Sequence, residues 1–202
     1  MNKLLLILLL SPTVFADNLV IEDFKNNRAQ WDAVSDQVMG GLSEIKFTKL
    51  SDEDINFYRL EGEVSTKNNG GFIQFRSRVD AGSDDYEGVR IKTRGNGETY
   101  EIHLRTPATF LPWQYYKATF TANDNWKIID IPFSSFKKVG PAYVPRKVKS
   151  SKITWIAVVA YGKDFYAEVD LAKIELYKYF QCSLILILHL CRKQLSWQKR
   201  QN

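Results

Sequence analysis

Between Asp17 and Tyr179, apolar and polar residues alternate with a period of two, and no stripe of period 3.6 reaches helical length. The pattern predicts strands separated by turns. Over Tyr86 to Arg105, Val89, Ile91 and Thr93 alternate with Arg90, Lys92 and Arg94, and Tyr100, Ile102 and Leu104 alternate with Glu101, His103 and Arg105. Asn96-Gly97 separates the two runs. A two-residue type I′ loop there, whose positions both need positive φ, predicts a hairpin that pairs Ile91 with Ile102 and Val89 with Leu104. The same register sets Lys92 against Glu101 and Arg90 against His103.

Ile153 to Tyr161 is apolar on both faces and predicts a central strand. From Phe165 the pattern runs through Ala167 and Val169, slips by one residue and resumes at Ile174 and Leu176, which predicts a bulge. Further strands are expected at Leu42 to Thr48, Tyr58 to Ser65, Gly71 to Ser77, Gln114 to Thr121 and Lys127 to Ile131. Many short strands without alternating helices predict an all-β, two-sheet jelly-roll sandwich.

The chain has 202 residues, 45% hydrophobic and 25% charged, which suits one compact globular domain. Its net charge of +5 changes the picture only at the ends. Lys3 and the tail residues Arg192, Lys193, Lys199 and Arg200 account for the whole excess, so residues 17–180 carry no net charge. Binding to a nucleic-acid backbone needs clustered positive charge, and no nucleic-acid partner is expected.

Met1-Asn2-Lys3, the apolar run Leu4 to Leu10 and the stretch ending at Ala16 have the three parts of a secretory signal peptide. Cleavage is expected after Ala16, followed by export to the periplasm or beyond. Seven apolar residues fall far short of the roughly 20 that cross a bilayer, so no stable membrane span is expected. Residues 180–202 contain no acids, the apolar run Leu184 to Leu190, and Cys182, His189 and Cys191 at spacings that do not form a zinc site. They read as an atypical extension. Residues 17–179 are the expected domain.

Enzyme motifs are missing. Residues 17–180 hold one histidine, no cysteine and no G-x-S-x-G, H-E-x-x-H or P-loop pattern. His103 lies between Glu101 and Arg105 on a strand face, without a nucleophile beside it in sequence. The acidic groups Asp52-Glu53-Asp54 and Asp84-Asp85 read as solvated turns rather than a glycosidase pair or a calcium loop. Neither a catalytic centre nor a metal or cofactor is expected.

The run Trp31-Asp-Ala-Val-Ser-Asp-Gln-Val-Met-Gly-Gly-Leu-Ser43 resembles the signature of the complex I intermediate-associated protein family, in its 30 kDa class. Later blocks keep the family's order: Gly62 to Phe72, Tyr86 to Arg90, Arg94-Gly-Asn-Gly97 with Tyr100, and Trp126 with Ile131-Pro-Phe133. The resemblance covers about Val20 to Leu176. It implies a galactose-binding-like jelly roll, similar in fold to carbohydrate-binding modules, without a catalytic centre, and an assembly role of the kind members play for respiratory complex I in mitochondria. The chain departs from the family in two ways. Asn96 stands where Asp is usual, and the leader implies export, which in a bacterium leaves only the membrane arm of complex I within reach.

Two binding roles follow as expectations. The first is a protein-binding, chaperone-like assembly factor acting outside the cytoplasm; the alternative is a carbohydrate-binding module whose concave sheet face receives a glycan. Trp113 and Tyr115, after Pro107 and Pro112, form an aromatic cluster that suits sugar stacking or protein docking, with loop packing as its plainer role. Candidate binding residues are Trp113, Tyr115, Arg105, His103, Arg90, Asn69 and Asp36. Beside the last, Gly40-Gly41 and Gly70-Gly71 are expected to serve close packing, and Asp36 and Ser43 to close a turn. Trp31, Trp126 and Trp155, with apolar strand neighbours, are expected in the core.

Overall fold

The computed structural model describes residues 17–25 and 29–178; the expected leader and tail lie outside the described residues. Among these are twelve strands: β1 (Leu19–Glu22), β2 (Trp31–Ser35), β3 (Lys46–Asp52), β4 (Ile55–Val64), β5 (Phe72–Arg78), β6 (Gly88–Gly95), β7 (Thr99–Arg105), β8 (Tyr115–Thr121), β9 (Lys127–Pro132), β10 (Lys137–Val139), β11 (Trp155–Tyr161) and β12 (Phe165–Tyr177). They form two six-stranded antiparallel sheets. The first runs β3-β4-β12-β6-β9 with β1 added to β12, and the second runs β10-β8-β7-β11-β5-β2. The inward residues of each strand meet in one core, where Leu60, Ile91, Val169 and Ile174 of the first sheet join Ile73, Phe75, Ile102, Leu104 and Val158 of the second. Each such side chain, fully buried, contributes about 1.5–3 kcal/mol.

The bulge falls within β12. Between Leu171 and Lys173 the register against β6 shifts, so that Leu171 faces Thr93 and Lys173 faces Lys92. β11 is central as expected, lying between β7 and β5.

The expected hairpin does not form. β6 pairs with β12 and β9 in the first sheet, whereas β7 pairs with β8 and β11 in the second. The connection Gly95-Asn96-Gly97 is therefore a corner between sheets. Gly97 is left-handed at φ 85°, but Asn96 is not, so a type I′ turn is ruled out. The Asn96 side chain instead donates to the Tyr166 carbonyl at 2.8 Å and accepts the Tyr100 hydroxyl at 2.7 Å, binding the corner to β12 of the first sheet and β7 of the second. Apolar alternation is the same whether two strands pair edge to edge or face each other across a core, and here the second arrangement holds.

Candidate functional site

The outward side of β11 carries Trp155, Ala157, Val159 and Tyr161, while Ile156, Val158 and Ala160 point into the core. Small residues sit at the middle of the outward row. Register places Trp155 between Arg78 and Arg105, and Ala157 between Arg76 and His103. Large side chains around a low floor produce a cleft of about 300 Å³, bounded on one side by Val38, Met39 and Asn69 and on the other by Pro112 and Trp113. That volume suits a small ligand or part of a longer one.

Both walls are braced from behind. On the Trp113 side, the Arg105 guanidinium donates to the Thr109 carbonyl at 3.2 and 2.7 Å and to the Leu111 carbonyl at 3.1 Å. Gln114 accepts the Leu111 amide through its side-chain oxygen and donates to the Tyr143 hydroxyl. This loop holds Trp113 with 63% of its surface exposed. On the opposite side, Asp36 is completely buried, and its carboxylate accepts the Ser43 amide at 2.9 Å, the Ser43 hydroxyl at 2.5 Å and the Gly71 amide at 2.5 Å. Burial pushes the Asp36 carboxyl up, but the bonds from Ser43, Gly71 and Phe72 outweigh it and hold the group below its usual range. A Cβ on Gly41 would stand 2.3 Å from the Asp36 carboxyl carbon, so glycine is required there for packing. The knot sets the 3-10 turn Asp36–Met39, which presents Val38 and Met39, beside Asn69 at φ 57°.

The polar part of the cleft is basic. His103 stacks on Tyr115 at a centroid distance of 4.0 Å and meets Glu101 at 2.6 Å, while Lys117 contacts the other Glu101 oxygen at 2.8 Å. Burial lowers the His103 pKa despite the neighbouring carboxylate. The neutral ring therefore donates from Nε2 to Glu101, whose own carboxyl is pushed up by burial but held lower by His103 and Lys117. Arg76 and Arg78 lie over the Trp155 ring at 5.0 and 4.7 Å. Arg105 is lowered by burial and by the nearby Arg76. No carboxylate lines the cleft among the described residues.

Of the residues singled out from sequence, Trp113, Tyr115, His103, Arg105 and Asn69 line this cleft. Arg90 does not. It lies on the outer face of the first sheet, bound to Asp130 at 2.6 and 2.7 Å, because β6 and β7 belong to different sheets. Asp36 stands behind the rim with its oxygens occupied, so it positions the wall and cannot reach a ligand. The tryptophans also separate: Trp31 packs against the core, Trp126 lies beneath Arg94 at 4.6 Å, and Trp155 forms part of the cleft, against the expectation of three core residues. Arg76, Gln74, Phe72 and Tyr161 were not singled out. Tyr161 ends the second apolar face of β11, which is the cleft floor, and Phe72, Gln74 and Arg76 are the outward residues of the neighbouring β5.

The lining offers rings, hydrogen-bond donors and positive charge, and no hydroxyl or thiol nucleophile paired with a base. No group of three His, Cys, Asp or Glu residues that could hold a metal exists among the described residues. None of the described helices is long and apolar enough to cross a membrane.

Two antiparallel sheets with a ligand-sized cleft on one outer face define a jelly-roll sandwich. Similar solved structures include the family 11 carbohydrate-binding module from Clostridium thermocellum in complex with a beta-1,3-1,4-mixed-linked tetrasaccharide, with TM-score 0.64, 16% identity, and coverage of 80% of this chain and 95% of that one. A family 30 carbohydrate-binding module of a cellulosomal cellulase from the same organism gives TM-score 0.56, 13% identity, and coverage of 81% and 99%. At these identities the likeness concerns the fold. No curated protein matches the chain in sequence. The model of the family Complex I intermediate-associated protein 30 matches residues 22–169, more than half of the chain, and the chain belongs to that family.

Proposed function

We propose that the protein is a non-catalytic binding module that holds an oligosaccharide in the cleft of the second sheet. The observation that carries this reading is Trp113, held 63% exposed at the cleft mouth by a loop braced through Arg105, with Tyr161 also open to solvent. A flat exposed ring beside polar donors suits a sugar, whose C–H face stacks while its hydroxyls accept hydrogen bonds. The fold likeness to modules described as carbohydrate-binding supports it.

A second reading, a polypeptide-binding assembly factor, has its own observations: the family to which the chain belongs and the exposed Val38 and Met39 on the cleft rim. Exposed apolar side chains beside a groove suit a protein partner. For either ligand we propose action outside the cytoplasm, on the strength of the leader pattern in residues 1–16. Mass spectrometry of the mature protein should then find Asp17 at its N-terminus.

The test between ligands is an affinity capture from the native cell envelope with residues 17–178 as bait, repeated with soluble oligosaccharides as competitors, alongside calorimetric titration of the same oligosaccharides. Saturable saccharide binding that displaces the captured material supports the first reading. Recovery of respiratory membrane subunits that no saccharide displaces, with no saccharide binding, supports the second and removes the first.

A further inference from the structure

The arginines of the two sheets are treated differently. On the first sheet Arg59, Arg90 and Arg94 each bind a carboxylate at 2.6–2.8 Å. On the second sheet Arg76, Arg78 and Arg105 make no ion pair with any described carboxylate, and the Arg76 Nε is buried without a hydrogen-bond partner. Arg105 is fixed by the neutral carbonyls of Thr109 and Leu111, which leave its charge uncompensated. The nearest acids form no ion pair with these arginines. Asp32 is the register partner of Arg76 on β2 and forms no ion pair with it, and Glu101 is taken up by Lys117 and His103.

Stacking on Trp155 holds the planar Arg76 guanidinium in place, with a donor fork that matches a carboxylate or sulfate. Like charges held close without a counter-ion raise the energy of the empty cleft, and an anion relieves it. An unmade hydrogen bond at a charged, desolvated donor is a further cost, larger than at a neutral group. Neutral sugar hydroxyls would satisfy the donor and leave the charges.

We infer that the ligand is an acidic saccharide, whose carboxylate or sulfate group seats between Arg76 and Arg105 while a sugar ring lies on Trp113. This rests on the saccharide reading and specifies its chemistry. Arg78 supports the Trp155 seat from the exposed side.

The experiment is calorimetric titration of the full chain with uronate and sulfated oligosaccharides, each paired with its carboxyl-reduced or desulfated form, at low and physiological salt. At least one acidic member should bind tenfold or more tightly than its neutral partner, with affinity falling as salt rises; comparison of the uronate and sulfated arms identifies the group. Arg76→Gln should erase the acidic preference in a protein that still unfolds cooperatively, and Arg76→Lys should keep part of it. Equal binding of acidic and neutral forms, or a preference that survives Arg76→Gln, overturns the acidic ligand and leaves the saccharide reading standing. Failure of every saccharide to bind overturns both.

Discussion

The outer faces of the two sheets use similar residues for opposite ends. On the first, Asp170 is buried between Arg59, which grips it with two nitrogens at 2.7 and 2.8 Å, and Arg94 at 2.8 Å. Hydrogen bonding to Asp170 raises the Arg59 pKa further above neutrality. The second face carries rings and arginines around a hollow, with no acid in its lining. Charge that is paired locally holds a sheet together; charge left unpaired beside an open floor is available to something else. Arginines and aromatics support the fold on the first face and stand open around a cleft on the second.

The strongest way to break this contrast is Asp170→Ala. It leaves two guanidiniums without their buried partner and should lower stability by about 3–5 kcal/mol, measured by urea unfolding, while ligand affinity of the folded fraction stays at the parent value. A variant as stable as the parent would show that the first face is not held by this network. Next comes Trp113→Ala, expected to weaken ligand binding by about 2 kcal/mol and to leave unfolding within about 0.5 kcal/mol. Unaltered affinity in a titration would remove the ring from the site.

Gly97→Ala probes neither face but the corner that joins the sheets. Its φ of 85° disfavours a side chain, and a loss of about 1 kcal/mol is expected in thermal unfolding; no loss would mean that the corner relaxes freely. The smallest effect concerns His103. Its folded pKa is depressed by burial, so the unfolded chain binds the extra proton first as pH falls. The stabilisation is present above about pH 6.5 and is lost as pH drops through the lower folded value. Unfolding at pH 7.5 and 5 should show this loss in the parent and a smaller one in His103→Gln; identical slopes would contradict a neutral, buried ring.

Much of the architecture was legible because alternation and turns are local. The strand class, the central position of β11 and the β12 slip follow from side chains that must point inward. Pairing was less so. Val89 and Ile91 look alike whether Ile102 lies beside them in one sheet or across a core, so Arg90 was placed with His103 when a whole sandwich separates their faces. Short edge strands such as β1 and β10 were missed because three or four residues carry too little pattern, and β3 was displaced from Leu42–Thr48 to Lys46–Asp52.

The candidate site was partly legible through Trp113 and His103, which are conspicuous by type. Arg76 and Trp155 were not, since Ile153 to Tyr161 with two apolar faces reads as burial on both sides, and only the assembled sheet shows one side open. Asp36 carried the opposite ambiguity. A carboxylate four residues before a glycine pair serves a ligand or a turn equally well in sequence, and its amide partners from Gly71 and Phe72 come from 35 residues further along the chain and beyond.

The two faces of β11 also bear on how such a module changes over generations. Ile156, Val158 and Ala160 answer to the core, and Ala157 and Val159 answer to whatever enters the cleft, yet they alternate along a single strand. A pleated backbone thus keeps two independent alphabets in one word. Substitutions at Ala157 or Val159 can reshape the floor, deepening or filling it, while every second letter continues to spell the same sandwich.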